Sequence, residues 1–241
     1  MRAISIIYRR ELGGYLRSPF AWVIAAVLLL LQGILFQAHA MAGEQLSAGV
    51  LERFMYVSCA VPLFGGILLS FRLIAEERQM HSIVLLSTSP VRDSHIIIAK
   101  FFAALTFLAV LLLFSLYMPL LIKVNGKITW AQVGVGYLGL LLLGSAVLAI
   151  GLFGSSLARS QIVAVLVGAG IVTIMLCLFI LAKRLDSPVR EVLQELDLWW
   201  IHFQQGFMRG VLNLKDVIYY IAVTYFFLLL AVKTLEAKRW Q

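Results

Sequence analysis

The stretch Phe101–Ile122, FFAALTFLAVLLLFSLYMPLLI, contains no Asp, Glu, Lys or Arg and is closed at its ends by Lys100 and Lys123. A helix needs about 20 apolar residues to cross the hydrocarbon of a bilayer. In that solvent each backbone N–H and C=O must be satisfied within the segment. The run meets both demands as a transmembrane helix. Five more charge-free runs surround it: Ser18–Gly43, Phe54–Phe71, Ile128–Ala158, Ser160–Ala182 and Val217–Val232. Adjusted for interfacial residues, they predict spans at residues 20–42, 54–73, 99–121, 132–157, 161–182 and 213–234. Of the 241 residues, 62% are hydrophobic and 13% charged, where a soluble domain is about a quarter charged. A soluble enzyme and a disordered chain are excluded. The expected fold is an all-α integral membrane protein, residues 1–241 forming a single transmembrane domain.

Six spans put both termini on one side. That side carries twelve Lys and Arg against five Asp and Glu, the other eight against seven. The bias places the termini in the cytoplasm, in a multi-pass inner (plasma) membrane protein. The net charge of +8 is assigned to cytoplasmic loops and anionic lipid headgroups, not to nucleic acid. No signal-peptide cleavage pattern precedes the first span, which is expected to stay as an anchor.

Residues 2–17 read as an amphipathic helix. At 100° per residue Arg2, Arg9, Arg10 and Arg17 share one face, and Ile4, Ile7, Tyr8 and Tyr15 take the opposite one. Such a helix suits the inner headgroup layer, although an ordinary basic flank accounts for the arginines equally well. Glu11 falls on the apolar face, where a carboxylate must find a partner. Arg9, Arg10 and Arg17 point away from it, so the expected partner is Arg72 or Arg78 at the base of the next loop. Pro19, after Ser18, marks the turn into the first span.

The loop at residues 74–98 opens with Glu76-Glu77-Arg78, continues through Ser82-Ile-Val-Leu-Leu86 to Ser89-Pro90, and reaches Asp93-Ser94, a candidate N-cap. It reads as a protrusion below the membrane, either a linker or a docking knob. The segment 187–211 on the other side begins Ser187-Pro188 and carries Trp199-Trp200, residues at home in the headgroup layer. It is expected to form short helices, as a lid or as a partner contact. Glycines concentrate in the fourth and fifth spans, and Gly151 with Ser155 makes a small-xxx-small pair. Packing within the chain is the expectation, over a dimer interface or a substrate path.

Several chemistries are missing from the sequence. It has no Gly-x-x-x-x-Gly-Lys-Ser/Thr loop, so it binds no nucleotide by that motif. His39, His81, His95 and His202 are scattered, and Cys59 and Cys177 sit in apolar runs. No metal site, disulfide or catalytic residue is expected. The middles of the six runs hold no ionisable residue, against the habit of ion-coupled pumps.

Four stretches resemble the membrane subunits of type-2 (exporter-type) ABC permeases, in particular the gliding-motility and copper-enzyme-maturation branch. They are Tyr8-Arg-Arg-Glu-Leu12 with Ser18-Pro19; Ala75-Glu-Glu-Arg78 through Leu86 and Ser89-Pro-Val91; Gly151–Leu157 with Gln161–Ala164; and His202-Phe203, Arg209-Gly-Val211, Asp216–Tyr220 with Leu235-Glu236. The resemblance implies an N-terminal connecting helix, a cytoplasmic coupling helix between the second and third spans, and short external helices before the sixth. It also implies a cytoplasmic ABC ATPase that binds the ATP and magnesium, with no cofactor in this chain. A second permease subunit, identical or related, would complete the pathway, with room for an external accessory protein. Glu76, Glu77, Arg78, Ile83 and Leu86 are the residues it assigns to ATPase coupling. The implied function is a permease for export; a membrane anchor relaying ATPase motion to an external machine is the alternative.

Overall fold

The computed structural model describes residues 2–40, 47–79, 92–125, 128–187 and 189–239. Among them the structure is helical and without strands. Six helices are long and apolar enough to cross a membrane: Pro19–His39, Gly49–Gln79, Asp93–Val124, Trp130–Leu157, Gln161–Ala182 and Leu214–Lys238. An N-terminal helix, Arg2–Arg17, precedes them. A short helix, Val189–Glu195, and a 3-10 turn, Phe207–Arg209, lie before the sixth span. The second and third spans outrun their charge-free stretches because their helices continue past Arg72 and back to Asp93, carrying charged residues beyond the hydrocarbon.

The long spans are broken where the backbone ladder loses a donor. In the second span Pro62 cannot donate to the carbonyl of Ser58, and the helix interrupts at Cys59. In the third, Pro119 stands in the same relation to Ser115, and the break falls at Ser115 and Leu116. Side chains occupy both breaks. Gln32 of the first span donates to the Ser58 hydroxyl (2.8 Å), and the Ser115 hydroxyl meets Tyr137 of the fourth span (2.9 Å).

A third break, at Phe71, involves no proline. Here the fourth span intervenes. The Ser155 hydroxyl accepts from the amides of Ile74 (3.1 Å) and Ala75 (3.0 Å) and donates to the carbonyl of Phe71 (2.9 Å). One side chain thus stands in for the missing turn of helix. It re-aims Arg72–Gln79, the last stretch before the loop.

The fourth span is the centre of the bundle, with Leu140, Leu143 and the run Ala146–Leu152 buried. Its small residues let neighbours come close. A Cβ on Gly154 would stand 2.8 Å from the backbone nitrogen of Gly168 in the fifth span, and one on Gly66 would stand 2.8 Å from Val147. Gly151 lies against Ser70 and Gly168. Gly151 and Ser155 therefore pack within the chain. The fifth and sixth spans leave most of their surface facing outward.

Gly154→Ala should lower the thermal midpoint in detergent, since the Gly168 backbone has no rotamer with which to give way; overpacking of this kind costs roughly 1–3 kcal/mol. Gly134→Ala, with nothing within 4 Å of its added methyl, should leave the midpoint unchanged or raise it. Equal effects of the two substitutions would contradict the close approach.

Candidate functional site

The N-terminal helix lies across the third span rather than free in a headgroup layer. Its half-buried positions are Ile4, Ile7, Tyr8, Glu11, Leu12 and Tyr15, a spacing of three and four that gives one face. Tyr8 reaches the hydroxyl of Thr106 (3.0 Å), and Tyr15 donates to the carbonyl of Leu69 in the second span (2.8 Å) and stacks on Phe107 at 5.5 Å. Glu11 is on that inward face.

Its partner is not Arg72 or Arg78. Lys100, about two turns into the third span and only 2% exposed, donates to Glu11 Oε1 at 3.1 Å and meets Glu77 Oε1 at 2.9 Å. Arg10 curls back from the exposed face to reach the same Glu11 oxygen at 2.9 Å and Glu77 at 3.7 Å. Among the described residues two carboxylates and two cations thus form one cluster joining the N-terminal helix, the end of the second span and the start of the third. Burial alone would push the Glu11 carboxyl up; the Lys100 ammonium and the Arg10 guanidinium outweigh it and hold the group below its ordinary value. Arg72 is committed elsewhere. It makes a two-pronged bond to Glu76 one turn along (2.7 and 2.8 Å) and lies 5.0 Å over the Phe20 ring. Arg78 donates to the carbonyl of Ala158 at the end of the fourth span (2.9 Å).

The three described coupling candidates accordingly brace the loop. Glu76 is held by Arg72, Glu77 by Lys100, and Arg78 by the fourth span. Ile83 and Leu86, with the coupling helix itself, lie outside the described residues. Glu77 lies on the helix that leads into residues 80–91 and Lys100 on the helix that follows them, so their contact joins the loop's two bases directly. Lys100 was missed from sequence because it reads as a membrane-edge flank. The signal available was Glu11 itself, a carboxylate on an apolar face and therefore in need of a cation on whichever helix that face covers.

At the opposite end, the segment before the sixth span folds over a second polar cluster. His202 is buried, its Nδ1 2.8 Å from Asp216 and its Nε2 3.1 Å from the carbonyl of Glu195, with its ring 3.7 Å from that of Tyr219. Both ring nitrogens face oxygen atoms, of the Asp216 carboxyl and the Glu195 carbonyl. Asn213 donates to the second Asp216 oxygen (3.2 Å). Asp197 accepts from the amides of Trp199 and Trp200 and starts the turn; its carboxyl is pushed up by burial, with those amides opposing. Tyr219 and Tyr220 donate to the carbonyls of Leu196 and Leu198. This cluster pins the segment before the sixth span to that span and holds no group of three or more metal-ligating side chains among the described residues. From sequence, His202 read as an unremarkable loop residue.

Residues 5–232 match the family described as ABC-2 family transporter protein. No curated protein matches the chain.

Lys100→Met should destabilise the protein by about 3–5 kcal/mol, since it leaves two half-buried carboxylates side by side. Glu11→Gln should cost less, because Glu77 still neutralises Lys100, and the exchange Glu11→Lys with Lys100→Glu should restore part of the Lys100→Met loss. Thermal unfolding in detergent ranks the three. A carboxyl held below its ordinary value favours the folded state at neutral pH, and that stabilisation fades as acid protonates it. The gap between wild type and Glu11→Gln should therefore be full near pH 7 and close as the pH falls through and below the ordinary carboxyl range; a pH-independent gap would refute the ion pair.

Proposed function

This chain belongs to the ABC-2 family of transporter proteins, and from that premise we propose that it is the permease subunit of an exporter driven by a separate cytoplasmic ATPase. The ATP and magnesium belong to that partner. A second permease subunit completes the pathway, and both termini face the cytoplasm of a bacterial cell. The observation that carries this reading is the clamp between Glu77 and Lys100. A loop whose two bases were independent would absorb a push by bending. With its bases joined to each other and to Glu11, a push on the loop is delivered to the second and third spans and the N-terminal helix together. Arg78 and Ser155 extend the connection to the fourth span, so the displacement is of a packed unit, as in rigid-body domain motion. In this role the N-terminal helix is a strut, and Ile83 and Leu86 offer the apolar contact to the ATPase.

Two measurements test the proposal. In the purified complex Lys100→Met should retain the ATPase while the membrane-stimulated part of ATP hydrolysis falls at least tenfold; Ile83→Asp with Leu86→Asp should instead release the ATPase. Stimulation that survives Lys100→Met in a folded complex would remove the clamp from the mechanism. For orientation, a cysteine replacing Lys215 should react with an impermeant thiol reagent in intact cells and one replacing Lys238 should not, and the reverse pattern would invert the topology. Stimulated hydrolysis with no flux of any substrate class in vesicles would favour the relay to an external machine.

A further inference from the structure

On the face that carries the termini, the fourth span ends in a knot of cations that the coupling cluster does not use. Lys238, from the last turn of the sixth span, donates to the carbonyls of Ser156 (3.1 Å) and Leu157 (2.8 Å). Arg78 donates through Nη1 to the next carbonyl, Ala158 (2.9 Å). Arg159 follows in the chain, exposed, and both arginines lie within electrostatic reach of Lys238. A helix C-terminus needs donors for its last carbonyls and carries roughly half a negative charge. Capping therefore accounts for the three bonds and leaves most of three positive charges uncompensated.

No carboxylate among the described residues is there to do it. Arg78, Arg159 and Lys238 form no ion pair; the acidic side chains nearest in sequence are engaged, Glu76 with Arg72, Glu77 with Lys100 and Glu236 with Lys233. Arg78 Nη2, moreover, is buried without a hydrogen-bond partner. A guanidinium donor withdrawn from water and left unused is costly. The fifth span starts beside the cations, at Gln161, and its N-terminal dipole adds to the positive potential.

We propose that this end of the fourth span, where Arg78, Arg159 and Lys238 converge, binds the phosphodiester headgroup of an anionic membrane lipid. The surroundings favour a lipid over an acidic peptide. The first turns of the fifth span present Ile162 (74% exposed), Val163 and Leu166 outward beside the cations, with Leu157 opposite. A phosphate lodged between the exposed Arg159 and Lys238, with the Arg78 charge behind them, would have its acyl chains running directly onto that apolar surface. Basic pockets between helix ends on the cytoplasmic side suit such headgroups. The site lies apart from the cluster of Glu11, Glu77 and Lys100, and two of its three cations have no part in the proposed coupling.

Among the described residues the Arg159 side chain makes no hydrogen bond, and a glutamine in place of Lys238 keeps an amide donor toward the Ser156 and Leu157 carbonyls, so Arg159→Gln with Lys238→Gln removes the charges while leaving the bundle folded. The full chain would be purified in detergent with equal amounts of phosphatidylglycerol and phosphatidylethanolamine, and the retained lipid counted by native mass spectrometry. Wild type should retain phosphatidylglycerol preferentially, and the preference should fall about fivefold for each cation neutralised. Lys233→Gln, which removes a cation paired with Glu236, should leave the preference intact. Equal retention of the two lipids by wild type, or an undiminished preference in the double variant, would overturn the proposal. So would stabilisation by inorganic phosphate alone without any preference for phosphatidylglycerol, which would make the site one for a free anion, and so would loss of ATPase capture with lipid preference unchanged, which would make it a protein contact.

Discussion

A lysine ammonium withdrawn from water has to be neutralised, and at Lys100 that requirement arranges the whole termini-side end of the molecule. Lys100 stands at the base of the third span with its side chain covered, and a charge left alone there would cost several kcal/mol. Glu77 reaches it only if the second span carries its helix past the membrane and ends beside the third. Glu11 reaches it only if the N-terminal helix lies across the third span with its apolar face inward. The tyrosines on that face, Tyr8 and Tyr15, then find Thr106, Leu69 and Phe107 in place. Packing and charge neutralisation thus demand the same placement of the same helix, and each would be unsatisfied without the other.

The fourth span performs the complementary task from the side. It offers no charge, only small residues, a serine hydroxyl and its own terminal carbonyls. Close approach at Gly154 and Gly168 brings the fifth span in, and Ser155 repairs the second span at Phe71. The carbonyl of Ala158 then receives Arg78. The helix extension that precedes the loop is therefore held on one side by charge and on the other by backbone hydrogen bonds. The end away from the termini is built on the same economy: a single carboxylate, Asp216, satisfies both His202 and Asn213 and closes the segment onto the sixth span.

Much of this architecture was legible in the sequence because the bilayer permits so few answers. A run such as Phe101–Ile122 is helical in hydrocarbon or it is not there, and the angular position of Glu11 on the inward face followed from helix periodicity alone. The partner of Glu11 was not legible. Periodicity gives a face but not the neighbour it covers, and topology placed Arg72 and Arg78 as near as Lys100. What decided between them is local competition: Arg72 has a carboxylate four residues along its own helix, and Arg78 has a helix end within reach. The burial of His202 was hidden for a related reason, since its acceptors, Asp216 and the Glu195 carbonyl, are brought together only by the fold of the external segment. The break at Phe71, unlike those ahead of Pro62 and Pro119, has no proline to announce it.

The repair of the Phe71 break by Ser155 also orders events in time. Chains leave the ribosome from the N-terminus, so the second span enters the membrane well before the fourth exists. Until Ser155 arrives, the amides of Ile74 and Ala75 have no serine hydroxyl to meet. Lys238, at the far end of the chain, comes last to the carbonyls of Ser156 and Leu157. The base of the loop is thus unfinished for most of synthesis and is completed only by helices made later. A chain stalled before the fourth span would expose an incompletely bonded loop base, so Arg72–Gln79 takes its final form only after Ser155 has been made.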